Sequence, residues 1–116
     1  MSLDRDFINA IFSELFDKNF EQYKEALSRS VNTDTDLYAK ARNALASLSD
    51  AQRSQVIEFF KVVIADSASV VLGTLDGVHF PDNFEGDFVV TCNGNEIQGD
   101  LMDIFIENAQ DGGVYG

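Results

Sequence analysis

The sequence predicts a mostly helical α+β fold, with four to five helices in a bundle-like core and one small antiparallel β-hairpin near residues 87–98. Two observations support this fold class. Apolar residues recur at three- and four-residue spacing along most of residues 4–72, which is the period of an amphipathic helix. Strand-like alternation then precedes Asn93-Gly94, the dipeptide that most strongly favours a two-residue hairpin turn.

The totals are those of a folded protein and predict a single domain over residues 1–116. Hydrophobic residues make up 45% of the chain and charged residues 24%. The single cysteine excludes an internal disulfide framework and favours a reducing compartment. We see neither an apolar run of roughly 18 residues nor a secretory signal pattern. We therefore expect a cytoplasmic protein that does not bind membranes.

The first helical region begins near Ser2 or Asp4 and ends near Arg29. Asp17-Lys18-Asn19 interrupts its apolar stripe, so the part after this tripeptide is either a second helix or a bent continuation. The residues expected on the apolar side are Phe7, Ile8, Ile11, Phe12, Leu15, Phe16, Phe20, Tyr23 and Leu27.

Two capping-box spacings introduce the next helices. Thr33 with Asp36 precedes a helix whose inward residues are expected to be Leu37, Ala41, Ala44, Leu45 and Leu48. Ser49 with Gln52 opens the strongest helix, from about Asp50 to about Leu72, with Gly73 as its end. Its expected stripe is Val56, Phe59, Phe60, Val63 and Ile64, and it continues less regularly through Ala68 and Val71. A strand over Ser69–Leu75 is the alternative, because Val-Val-Leu-Gly-Thr-Leu favours β-structure.

The hairpin and a final helix follow a polar loop. A two-residue turn at Asn93-Gly94 would pair Cys92 with Asn95, Thr91 with Glu96 and Val90 with Ile97. The final helix is expected to begin at Asp100, as its cap, and to direct Leu101, Ile104 and Phe105 inward. We expect the tail from Gln110 onward to be frayed.

Charge is distributed unevenly along the chain. The formal net charge is −12, and the last basic residue is Lys61, so residues 62–116 contain ten acidic residues and no Lys or Arg. Residues 1–61 hold ten acidic and eight basic residues, a net charge of −2. A surface this negative repels phosphate backbones, so we expect no nucleic-acid binding. It attracts a basic protein.

The segment from Asp76 to Asp87 is the candidate binding site for a protein partner. It combines aromatic residues with carboxylates, as anchors of protein interfaces often do. Phe80 and Phe84 are either exposed there or buried under the loop, and the sequence favours neither. The candidate residues are Asp76, His79, Phe80, Asp82, Phe84, Glu85 and Asp87.

Catalytic and metal sites have weaker support. Asp76, His79 and Asp82 are spaced so that they could converge on a metal ion in a loop. Cys92 with His79 and Asp76 is the only cysteine-based catalytic set that one histidine allows, and no basic residue lies nearby to activate the thiol. No nucleotide-binding motif occurs. We expect a non-enzymatic protein with no catalytic residue, no resident metal and no cofactor.

Three hypotheses of function follow. The preferred one is a small acidic module that docks a basic protein, for example an inhibitor; the bacterial immunity proteins that neutralise nuclease toxins are similarly small and acidic, and the similarity is one of size and charge only. The second is a small metal-dependent enzyme that uses Asp76, His79 and Asp82. The third is a structural or regulatory subunit, a monomer or a homodimer, pairing through its N-terminal helices because the acidic half repels itself.

Overall fold

The computed structural model describes residues 2–116 and has a mostly helical fold with a small two-stranded antiparallel sheet, as predicted. Two long helical stretches dominate it, and shorter elements cover their ends. In chain order the elements are α1 (Leu3–Ser13), a π-helical segment (Glu14–Asn19), α2 (Phe20–Ser28), α3 (Leu37–Leu45), α4 (Asp50–Asp76), β1 (Thr91–Cys92), β2 (Asn95–Glu96) and α5 (Leu101–Asp111).

The π-helical segment joins α1 and α2 into one continuous helix over residues 3–28. Glu14 and Phe20, which follow α1 and the π-helical segment, both have right-handed helical backbone angles, so the chain does not leave the helix at either junction. This confirms a continuation rather than a separate second helix. A π-turn contains more residues than an α-turn, so the apolar stripe shifts around the helix where Asp17-Lys18-Asn19 interrupts it.

Helix α3 begins at a different cap from the one predicted. Asp36 itself is the N-cap, and its carboxylate accepts a hydrogen bond from the backbone N–H of Ala39 at 3.0 Å, so the predicted role of Thr33 is wrong. The inward side was also predicted wrongly in part. Leu37 is 81% exposed, whereas Arg42 is buried and its Nε donates to the carbonyl oxygen of Ala26 at 2.7 Å.

Two arginines thus satisfy carbonyl groups where helices end. Arg42 serves the end of α2. Arg53 serves the end of α3, because its Nε donates to the carbonyl of Leu45 at 3.2 Å and its Nη2 to that of Leu48 at 3.1 Å. The last carbonyl groups of a helix have no partner within the helix, so these bonds stabilise both chain reversals.

Helix α4 begins as predicted and ends later. Ser49 Oγ accepts from the N–H of Gln52 and Gln52 Oε1 accepts from the N–H of Ser49, both at 3.1 Å, which is a complete capping box. The helix continues through Ser69–Leu75, so the strand alternative is wrong. Gly77, with φ of 77°, ends the helix in the left-handed region, where glycine has no steric penalty.

Gly73 is a glycine for a different reason from the one predicted. It lies inside α4, and a Cβ atom on it would approach Met102 Sδ to 2.8 Å and His79 Cβ to 3.1 Å. The residue therefore permits close approach of α4 to α5 and to the chain that leaves α4.

The core consists of two clusters arranged along α4. One cluster joins α1, the C-terminal half of α4, and α5; its buried residues are Ile8, Phe16, Ala65, Leu72, Leu101, Ile104, Phe105, Ala109 and Val114. The other joins α2, α3 and the N-terminal half of α4, at Phe20, Leu27, Leu45 and Ile57. Ile64 packs against both. The continuous helix 3–28 is therefore antiparallel to α4.

The buried side of α4 is rotated from the predicted one. Ile57, Ala65 and Leu72 face the core, whereas Val56, Phe59, Val63 and Val71 from the predicted apolar stripe are exposed. The apolar residues of α4 cover too much of its circumference for periodicity to identify one inward side.

The hairpin has the predicted register. Thr91 pairs with Glu96 and Cys92 with Asn95, and the N–H of Ile97 donates to the carbonyl of Val90 at 2.8 Å. Asn93 and Gly94 have positive φ angles of 52° and 81°, as a type I′ turn requires.

The C-terminal tail is packed, in contrast to the predicted frayed end. Helix α5 continues to Asp111, and Val114 is buried in the first core cluster. Tyr115 Oη donates to Asp66 Oδ1 on α4 at 3.1 Å. Partial burial raises the pKa of Tyr115 above 10.0, and the hydrogen bond to Asp66 and the negative charge of that carboxylate raise it further.

We expect Ser49→Ala to lower the free energy of unfolding by about 1 kcal/mol, because it removes the capping acceptor at the start of α4. Urea denaturation followed by circular dichroism measures this change. Ser54→Ala is the matched control: Ser54 lies exposed in the helix next to the cap, and its replacement should be neutral or slightly stabilising. Equal effects of both substitutions would contradict the capping role.

Candidate functional site

The candidate binding segment leaves the C-terminal end of α4 as an exposed loop. Residues 78–88, here called the acidic loop, contain His79, Phe80, Asp82, Phe84, Glu85 and Asp87. The N–H groups of Val78 and His79 both donate to the carbonyl of Gly73, at 2.9 and 3.0 Å, so the start of the loop is held against the helix end. The loop follows directly from the way α4 ends.

Asp76 lies outside this loop and has a structural role. It is the last residue of α4, and its carboxylate accepts from the backbone N–H groups of Gly99 at 2.7 Å, Leu101 at 3.2 Å and Met102 at 2.8 Å. These groups lie at the start of α5, where N–H groups have no partner within the helix. Asp100 is the N-cap by position, but its side chain makes no capping bond, which corrects the predicted role of Asp100.

The carboxylate of Asp76 therefore fastens two helices together. It is half-buried, and it accepts charge-assisted hydrogen bonds at the positive end of the α5 dipole. Of the seven candidate residues, Asp76 is thus the one whose side-chain polar atoms already have hydrogen-bond partners within residues 2–116. This observation argues against a direct role for Asp76 in binding a partner.

The proposed metal ligands do not assemble. In the chain from residue 2 to residue 116, no three His, Cys, Asp or Glu side chains are close enough together to hold a metal ion. Asp76 is directed at α5, while His79 and Asp82 are exposed on the loop. Cys92 lies half-buried in the hairpin, on β1.

The two aromatic residues left undecided by the sequence are exposed. Phe80 is 77% exposed and Phe84 54% exposed, so neither is buried under the loop. Phe84 stacks on Phe88 with ring centroids 5.8 Å apart and an interplanar angle of 22°. Asn83, with φ of 65°, lies in the turn between Phe80 and Phe84. Two aromatic surfaces therefore face solvent.

The carboxylates that surround these rings are exposed and have no cationic neighbour. The ion pairs within residues 2–116 involve Glu14, Glu25, Asp50, Glu58 and Glu107, and none of them involves Asp82, Glu85 or Asp87. The loop borders a depression of about 770 Å³ between Thr74 and Phe88. The negative charges of Asp82, Glu85 and Asp87 therefore face solvent.

A second concave surface, which the sequence analysis did not identify, lies between the helices. This apolar groove has a volume of about 670 Å³. Its walls include Leu15 and Tyr23 from helix 3–28, Leu37 and Tyr38 from the start of α3, and Val63 and Val71 from α4. Tyr23 and Tyr38 stack across its rim, with centroids 6.3 Å apart. Every lining residue that the structure describes is uncharged. The sequence signal that could have indicated this groove is the number of apolar residues in α4, which exceeds what one buried side of a helix needs.

Comparison with protein-family models, with curated proteins and with solved structures finds no match for this chain. Within residues 2–116 no helix combines the length and apolar character that crossing a membrane requires.

We expect Asp76→Ala to lower the free energy of unfolding by about 2 kcal/mol, because it leaves N–H groups at the start of α5 without an acceptor. Asp76→Asn should cost less, since one amide oxygen still accepts. Urea denaturation measures both, and amide hydrogen exchange at Leu101 and Met102 should accelerate. Asp82→Ala is the control and should change stability by less than about 0.5 kcal/mol. A similar loss in the control would show that general charge, not capping, is responsible.

Proposed function

We propose that this protein is a non-enzymatic binding module that docks a basic protein through its acidic loop. The observation that carries the proposal is the pair of exposed rings, Phe80 and Phe84, among carboxylates that have no cationic partner in the described chain. Exposed aromatic residues are the side chains that most often supply binding energy at protein interfaces. The proposed contact residues are His79, Phe80, Asp82, Phe84, Glu85 and Asp87.

The surrounding charge supports a basic partner in particular. Residues 62–116 carry ten acidic residues and no Lys or Arg, so a partner approaching the loop meets a field of one sign. Such a field accelerates association with a positive surface and makes the rate depend on salt. The aromatic rings would then contribute to holding the complex, because their burial removes apolar surface from water.

An inhibitor or immunity-type protein is a concrete form of this proposal. Its partner would be an enzyme, such as a nuclease, whose own active site is basic because it binds phosphate. Small size and a net charge of −12 suit a protein that covers such a site. The hydrogen bonds from Val78 and His79 to the carbonyl of Gly73 also support this role, because they fix where the loop leaves α4 and a segment held before binding loses less entropy on binding.

The test is affinity capture on the immobilised chain, with identification of the retained proteins and titration of the strongest binder. We expect basic proteins to be retained and the affinity to fall as salt rises from about 50 to about 500 mM. Phe80→Ala with Phe84→Ala should weaken the strongest complex by about thirty-fold or more, since interface anchors contribute about 2 kcal/mol or more. Asp82→Asn, Glu85→Gln and Asp87→Asn together should mainly slow association.

A matched variant distinguishes the loop from overall acidity. This control variant removes an equal number of negative charges, three, from exposed positions on the N-terminal half; its substitutions are Asp6→Asn, Glu21→Gln and Asp34→Asn. This control should bind nearly as well as the unaltered chain. Retention of only neutral or acidic proteins, or equal losses in the loop variant and the control, would overturn the proposal.

A further inference from the structure

An exposed apolar ridge lies on α4 beside the apolar groove. The ridge is the exposed stripe of α4 at Val56, Phe59, Val63 and Val70, whose spacing of three, four and seven residues places them on one side of the helix. The groove lies next to it, between α4, α3 and helix 3–28, and Val63 borders both. A convex apolar strip thus runs along an apolar hollow on the same helix.

The chain exposes more surface than a protein of its mass needs to. Its accessible area is 7736 Å², whereas a compact monomer of 12.8 kDa would expose about 6,300 Å². Its radius of gyration is 17.3 Å, against about 13 Å for a compact domain of this length. The excess area, roughly 1,400 Å², is larger than the 800 Å² or so that each partner buries in a standard protein interface.

The groove face contributes a large share of the exposed apolar side chains. Leu37 is 81% exposed, and Phe59, Val63 and Val71 are each more than half exposed. Contiguous apolar patches of this extent on a helix face are characteristic of surfaces that another protein covers.

We propose that a second copy of this chain covers this face, so that the α4 ridge of each protomer lies in the apolar groove of the other. A two-fold interface brings the same patch of both copies together, and it therefore needs a surface that complements itself. An adjacent ridge and groove meet that requirement. A single helix from a foreign protein would fill the groove and leave Val56, Phe59 and Val70 exposed.

Charge is compatible with this pairing. Asp66 is exposed on the ridge side of α4, between Val63 and Val70, and its carboxylate accepts a hydrogen bond from Tyr115. The groove that would face this side is lined by uncharged residues, so the proposed contact places no second carboxylate opposite Asp66. The remaining repulsion acts between whole molecules of net charge −12 and is screened by salt. Dimerisation should therefore strengthen as salt rises. The proposed docking of a basic partner has the opposite salt dependence, so failure of one proposal is distinguishable from failure of the other.

Sedimentation equilibrium of the purified chain tests the proposal over concentrations from about 1 to about 100 μM, a range in which a dimer of micromolar dissociation constant dissociates. We expect a monomer–dimer equilibrium with a lower dissociation constant at about 500 mM salt than at about 50 mM salt. Phe59→Glu and Val63→Glu should each weaken the dimer by about a hundred-fold or more, because each would bury an unpaired charge. Both side chains are more than half exposed in the monomer, and circular dichroism should show the variants folded.

Val89→Glu is the matched control, since Val89 is also an exposed valine but precedes the hairpin, away from α4. It adds the same charge and should leave the dimer intact. A monomer at every concentration would overturn the proposal. So would a dimer that Val89→Glu weakens as much as Val63→Glu does. A third contrary result would be a monomer whose groove binds a lysine-rich amphipathic model peptide and loses that binding in Val63→Glu.

Discussion

The length of α4 is the constraint on which the rest of the structure depends. With 27 residues it is about 40 Å long, against a longest molecular dimension of 49 Å. Its apolar residues favour contact with another element along that whole length, and among residues 2–116 the element of comparable length is the continuous helix 3–28. The shorter α5 and α3 each cover a further side at one end of α4, which is why the core is divided into two clusters that meet at Ile64. Within residues 2–116 an apolar side of the central part of α4 stays uncovered, and the groove between α4, α3 and helix 3–28 opens there.

The second organising contact is the carboxylate of Asp76. It ends one helix and caps another, so it determines both where the acidic loop departs and where the chain after the hairpin returns. Gly73 acts in the same place by sterics rather than charge, because it lets Met102 and His79 approach α4 closely. The hydrogen bonds accepted by Asp76 hold the loop, the hairpin and α5 at the same end of the molecule, and the absence of a side chain at Gly73 leaves the space for that packing. The residues proposed to bind a partner therefore extend from a rigid base.

A sequence signal predicted the structure well or badly according to how far apart in the chain the interacting residues lie. Local signals succeeded in part: the Ser49 capping box and the Asn93-Gly94 turn depend on neighbours in the chain, and both formed as predicted. The predicted caps at Thr33 and Asp100 did not form, because Asp36 and the distant Asp76 supply the acceptors instead. Signals that depend on tertiary packing did not succeed. Periodicity identified α4 as a helix, but it assigned Phe59 to the core and overlooked Ile57, because apolar residues surround most of the helix. At the candidate site the sequence identified the loop and its aromatic residues. It could not show that Asp76 caps α5 or that Phe80 is exposed, since both depend on segments distant in the chain.

The way the acidic loop is held has a consequence for how this protein could change over evolutionary time. The N–H groups of Val78 and His79 fix its start by donating to Gly73, and the N–H of Gly99 closes the longer segment 77–98 by donating to Asp76, so none of these bonds involves residues 80–88. Doubling the length of a closed loop costs only about 0.6 kcal/mol in closure entropy. Residues could therefore be inserted, deleted or exchanged between Phe80 and Phe88 with little effect on folding. Partner preference could diverge rapidly on a scaffold whose helices stay the same.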